Sequence, residues 1–256
     1  ITTYYQTDNT MNPQKQFSII LEGTSHPGNL GATARAMKTM GLSDLRLVNT
    51  VSHKQSEAYA RSSGADDILF KAKVYPSIQA AIEDLQLLIG LSGRKRHHQS
   101  IYLTTEHHSM LNEHPHHHRV GFLFGNEQHG LDNQSLALCH AQMVIPTNPE
   151  FKSLNLASSV QIISYLCHTY QDAPQPHHGK APIHVSHNPE YQPANLQNIQ
   201  ALVTKLMALN AHKNPTLNPS LHAATERTLT QILLKKQLSK QEADLIHGFI
   251  KKHTPL

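Results

Sequence analysis

The chain has 256 residues, enough for one large domain or for a domain with a small appendage. Lys and Arg number 22 against 18 Asp and Glu, a net charge of +4 that permits a polyanionic partner without requiring one. With only two cysteines, Cys139 and Cys167, no CxxC pair and no apolar run near the roughly 18 residues of a membrane span, the sequence excludes a disulfide scaffold and a helical membrane protein; it reads as a cytoplasmic chain with reduced thiols.

Residues 1–15 carry no basic-then-apolar signal pattern and read as a disordered leader, with Met11 ahead of the first strand. FSIILEG (17–23) is a short apolar run closed by glycine, a buried strand. HPGNLGATARAMKTMGL (26–42) is a glycine turn leading into an alanine-rich helix, with Leu30, Thr33, Ala34 and Met37 on one face and Arg35 pointing away. LRLVN (45–49) is a strand, SEAYARSSGADDIL (56–69) holds a helix ending at Gly64, and SIQAAIEDL (77–85) is a further helix running into the strand LQLLIGLSG (85–93). RVGFLFGNE (119–127) and AQMVIPTN (141–148) are two more strands, and SLNLASSVQIISYLCHTY (153–170) is a helix with Leu156, Val160, Ile163 and Cys167 on one face. Strands alternating with helices predict an α/β fold: a parallel sheet with helices on both faces and ligands beyond the carboxyl ends of its strands.

This α/β domain is expected over 16–170. Residues 171–195 hold five prolines and no apolar periodicity, a linker. Residues 196–256 look like a small helical extension, serving either packing and dimerisation or substrate docking through Lys205, Arg227, Lys235, Lys236, Lys251 and Lys252.

Three stretches carry candidate chemistry. Gly28-x-x-Gly31 is neither GxGxxG nor a P-loop, yet glycines opening a helix indicate that something approaches the backbone closely. Arg35 in that helix is either a solvated arginine or one presented to a phosphate or reacting oxygen at a cleft edge. In FGNEQHGL (124–131), Glu127 is either a turn residue or part of a loop shaped for a ligand, and in IPTNPEFKSLNLASS (145–159) Ser153 or Asn155 sits at a helix start.

Together and in this order, the three stretches resemble the motifs of the SPOUT superfamily of RNA methyltransferases, nearest to the TrmH/TrmJ-type ribose 2′-O-methyltransferases. The resemblance spans about residues 16–170, and the extension looks, more loosely, like that of the tRNA methyltransferases that modify position 32 of the anticodon loop. It implies a carboxyl part of the sheet threaded into a deep trefoil knot, a homodimer whose sites draw on both chains, and S-adenosylmethionine as cofactor. By position Leu91, Ser92, Gly93, Gly125, Ile145, Lys152, Ser153 and Leu154 would contact that cofactor, while Asn29, Arg35, Glu127, Ser153 and Asn155 fall on the catalytic positions. The opening stretch would then face RNA, with Asn29 and the glycines shaping the turn; Arg35 would bind the RNA beside the target ribose, and Arg94, Lys95 and Arg96 would meet its phosphates. The substrate implied is tRNA, with rRNA or binding without turnover as the alternatives; neither DNA nor a membrane is expected. One departure is Asn126, where tRNA-directed relatives often carry arginine. HPHHH (114–118) offers metal donors, but HExxH is absent and Pro115 breaks helical spacing, so no functional metal is expected.

Overall fold

The computed structural model describes residues 15–93, 100–103, 111, 119–172, 192–213, 219–236 and 238–253. The leader up to residue 14, the basic segment 94–99, nearly all of the histidine-rich stretch and most of the proline-rich linker lie outside these residues. So do the side chains of Lys235, Lys236 and Lys252.

Seven strands form one parallel sheet: β1 (Gln16–Glu22), β2 (Asp44–Val48), β3 (Lys73–Tyr75), β4 (Leu87–Leu91), β5 (Ser100–Tyr102), β6 (Arg119–Phe124) and β7 (Ala141–Val144), in the order β3-β2-β1-β6-β4-β7-β5. Side-chain alternation splits the strands between two cores. Phe17, Ile19 and Leu21, with Val120, Phe122 and Phe124, face one side; Ile20, Leu88 and Leu123 face the other.

The first face is covered by α1 (Pro27–Thr39), α2 (Ser56–Ser62), α3 (Asp66–Lys71) and α6 (Leu156–Asp172). Leu30, Thr33, Ala34 and Met37 of α1 are buried and Arg35 is exposed, matching the apolar stripe in the sequence. The helix from Ser56 ends at Ser62, close to the expected stop at Gly64: Ser63 and Gly64 take left-handed φ angles of 46° and 88°, and the chain resumes as the separate helix α3.

On the second face the domain's own cover is thin. Helices α4 (Ile78–Ile82) and α5 (Asn133–Ala137) have five residues each. Leu196 and Ile199 of α7 (Leu196–Lys213), Leu234 of α8 (Pro219–Lys236) and Ala243 of α9 (Lys240–His253) join Ile82, Leu85 and Leu88 in this core. The carboxyl-terminal helices pack on this face and complete the second layer of the α/β sandwich. Both cysteines are buried and unpaired, and burial pushes their thiols up. Among the described residues no helix is long and apolar enough to cross a membrane.

Candidate active site

Beyond the carboxyl ends of β1, β4, β6 and β7 lies a cavity of about 720 Å³. The loop after β1 turns at Gly23, whose φ is 67° and whose N–H donates to the Val48 carbonyl at 2.9 Å. Pro27 then opens α1 with its fixed φ, and Asn29 donates its N–H to the His26 carbonyl at 3.0 Å, so His26 and Asn29 face the cavity together.

The loop after β6 requires glycine at 125. A Cβ there would collide with the Gly130 carbonyl carbon and the Leu131 nitrogen, because the chain folds back on itself. Gly130, at φ 67°, donates its N–H to the Asn126 carbonyl at 2.8 Å, and Asn126 Nδ2 donates to the Gly23 carbonyl at 2.7 Å, pinning this loop to the first. The loop after β7 ends at Asn155, which caps α6: its Oδ1 accepts from the N–H groups of Ala157 at 2.9 Å and Ser158 at 3.3 Å. The N-terminus of α6, the positive end of a 17-residue helix, thus borders the cavity.

Glu127 ties the loops together. Its Oε1 accepts from Asn29 Nδ2 at 2.8 Å, and its Oε2 accepts from both the N–H and Oγ of Ser25, each at 3.1 Å. Burial opposes charge on this carboxyl, but the bonds from Asn29 and Ser25 prevail and hold it below the usual glutamate range. Asn155 Nδ2 donates to Asn29 Oδ1 at 3.4 Å, so one chain of hydrogen bonds runs through all three loops.

All eight residues expected at a cofactor, Leu91, Ser92, Gly93, Gly125, Ile145, Lys152, Ser153 and Leu154, line this cavity, as do Asn29, Glu127, Ser153 and Asn155. Arg35 does not. It is exposed on α1 and donates from Nη1 to Ser63 Oγ at 3.3 Å, facing α2. Arg94, Lys95 and Arg96 lie outside the described residues.

Gly28 and Gly31 are approached by protein, not by a ligand. A Cβ on Gly31 would collide with the Ala58 carbonyl oxygen and one on Gly28 would come 2.9 Å from Glu57 Oε1, so the element that approaches them is helix α2. Sequence reasoning also passes over His26, Gln128, His129, Thr147 and Ser159, which line the cavity, and Ser25, which binds Glu127. Their only signal is their place in or beside the three motifs, since none carries spacing or capping information of its own.

A parallel sheet covered on both faces, with a small-molecule-sized cavity beyond its carboxyl ends, defines a ligand-binding α/β protein. Within that class the chain belongs to the SpoU rRNA Methylase family, which residues 16–165 match. It is 34% identical over 237 residues to the tRNA (cytidine/uridine-2′-O-)-methyltransferase TrmJ of Pectobacterium atrosepticum, covering 91% of this chain and 94% of that one. The crystal structure of TrmJ from Z. mobilis ZM4 is similar with a TM-score of 0.76 and 28% identity, over 92% of this chain and 97% of that one. A probable methylase family protein from Haemophilus influenzae Rd KW20 gives a TM-score of 0.60 at 28% identity, over 93% and 95%.

Proposed function

We propose that this protein transfers a methyl group from S-adenosylmethionine to a ribose 2′-hydroxyl of tRNA, at a cytidine or uridine in position 32 of the anticodon loop. The observation that carries this is the convergence of all three motifs on one cavity, tied by Glu127, Asn29 and Asn155. The residues present suit the cofactor. Leu91, Ile145 and Leu154 offer apolar side chains for a purine, while Lys152 and the α6 N-terminus offer positive charge for a carboxylate. Gly93 keeps one wall open, since a Cβ there would meet only the Lys152 carbonyl oxygen, at 3.9 Å.

Once bound, the cofactor supplies an activated methyl group on a sulfonium. The chain must then align the hydroxyl and let its proton leave. Glu127 is poorly suited to take that proton, because its two oxygens already accept three hydrogen bonds and it stays ionised. Its part is to fix Asn29 and the spacing of the loops. A guanidinium is also a poor base, so Arg35 acts by binding the phosphate beside the target ribose and stabilising charge as it develops.

Because Arg35 faces away from its own cavity, it serves the cavity of a second copy in a homodimer. On the same reading the carboxyl part of the sheet is threaded into a trefoil knot. Arg94, Lys95 and Arg96 add phosphate contacts blind to sequence, and the enzyme works in the cytoplasm.

Incubation with radiolabelled S-adenosylmethionine and separate tRNA and rRNA fractions tests this, followed by mapping of the methylated nucleotide. Label at position 32 of tRNA is expected. Label confined to rRNA overturns the substrate, and no label overturns the activity. Arg35→Ala should abolish turnover while leaving cofactor affinity unchanged, and normal turnover in that variant removes Arg35 from the site.

A further inference from the structure

Phe151 lies in the loop between β7 and α6, directly before Lys152, Ser153 and Leu154, which line the cavity. Its ring is not part of that lining and is 74% exposed. The turn that presents it is well fixed. Asn148 Oδ1 accepts the Glu150 N–H at 3.0 Å, the Asn148 carbonyl accepts the Phe151 N–H at 3.0 Å, and Thr147 Oγ1 donates to the Lys152 carbonyl at 3.5 Å. Pro146 and Pro149 restrict the backbone on either side of Asn148. Leu154, 36% exposed, extends the apolar lip toward the cavity. Phe70 on α3 and Leu245 on α9, also large, apolar and exposed, lie on helices that do not border the cavity.

We propose that Phe151 is a stacking platform for an RNA base at the mouth of the cavity, next to the ribose that is methylated. This rests on the methyltransferase reading above. The bases of single-stranded RNA loops can be splayed out and stacked on aromatic side chains, so a loop nucleotide whose ribose is drawn to the cavity has a base face for the protein to cover. An aromatic ring on a fixed turn covers that face. Every base has a π-face, so stacking accepts cytosine and uracil alike and leaves discrimination to other contacts.

The test uses the full chain with Phe151→Ala, Phe151→Leu and Phe151→Tyr. The KM for tRNA, the Kd for S-adenosylmethionine and the mass in solution are measured for each. Ala and Leu are expected to raise the KM for tRNA by about tenfold, with Tyr near wild type. Cofactor Kd and mass should be the same in all three. A Leu variant as good as Tyr overturns the proposal, because apolar area without a ring then suffices. So does a wild-type KM in the Ala variant. A smaller mass for the Ala variant would show that a second copy of the chain, not RNA, covers the ring. If the wild-type protein labels no RNA, the methyltransferase reading itself fails; if it labels RNA and the variants do not differ from it, only the stacking platform fails.

Discussion

Two carboxylate clusters sit at opposite ends of the sheet and do different work with similar bonds. At the amino end Arg46, only 5% exposed, donates Nε to Asp44 Oδ2 at 2.9 Å and Nη1 to Asp84 Oδ1 at 2.5 Å and to the Ala81 carbonyl at 2.7 Å. Arg119 adds a bond to Asp84 Oδ2 at 2.9 Å, and Ser18 Oγ donates to Asp44 at 2.6 Å. At the carboxyl end Glu127 is held by Asn29 and Ser25, both neutral. In each cluster burial works against the charge, and the hydrogen bonds keep the carboxyls below their usual range. The difference lies in what surrounds them. The Arg46 cluster sets charge against charge and joins β2, the turn after α4 and the start of β6. The Glu127 cluster sits on the wall of an open cavity and sets the spacing of three loops. Opposite charges in contact hold elements together, whereas a carboxylate with neutral donors can hold a shape and leave one side free for a ligand.

Breaking the first cluster should have the largest effect. Arg46→Ala leaves Asp44 and Asp84 without their main partner and is expected to cost about 3–5 kcal/mol, read from urea unfolding. Cofactor affinity per folded molecule should not change. Glu127→Gln should do the reverse: the unfolding midpoint stays near wild type while kcat/KM for methyl transfer falls about 100-fold, because Asn29 and its loop lose their fixed position. If Glu127→Gln unfolds as readily as Arg46→Ala, the two clusters do the same job and the contrast is wrong.

Acid sharpens the same contrast. Asp44 and Asp84 have folded-state values below their unfolded ones, so their contribution is complete above the unfolded carboxylate range and is lost as the pH falls through the folded values. Wild-type stability, followed by unfolding at a series of pH values, should therefore hold from pH 7 to about 5 and drop below about 4. Arg46→Ala should flatten that drop.

Much of this architecture is legible in the residues alone. The apolar stripe of α1 and the alternation of strand and helix predict the sheet and its covering, because burial imposes those periods on the sequence. The predicted strands overrun most at three ends, by two to four residues: to 93 where β4 stops at Leu91, to 127 where β6 stops at Phe124, and to 148 where β7 stops at Val144. The residues beyond those ends, among them Ser92, Gly93, Gly125, Glu127 and Ile145, line the cavity. The pattern does not separate ladder from loop there, because residues that wall a cavity continue the apolar and glycine character of the strand before them. Strands β3 and β5, of three residues each, escape a reading by pattern because they are too short to show a period. Gly28 and Gly31 mislead for another reason: a glycine shows that something approaches, and not whether it is a ligand or a helix.

The finest distinction concerns Asn155, which has two jobs on one amide. Its Oδ1 caps α6 and its Nδ2 reaches Asn29, so Asn155→Ala removes both and should cost about 1 kcal/mol of stability together with activity. Asn155→Asp separates them. A carboxylate caps the helix as well as the amide does and sits favourably at its positive end, so the unfolding midpoint should be kept or rise slightly. It has no N–H for Asn29 Oδ1, however, and turns that contact into two facing acceptors. Asn29 would then be held by Glu127 alone, and the loop after β7 would lose its tie to the loop after β1. Methyl transfer by Asn155→Asp should fall several-fold while its stability does not, and wild-type turnover would show that the cap alone, not the tie to Asn29, is what the cavity needs from this residue.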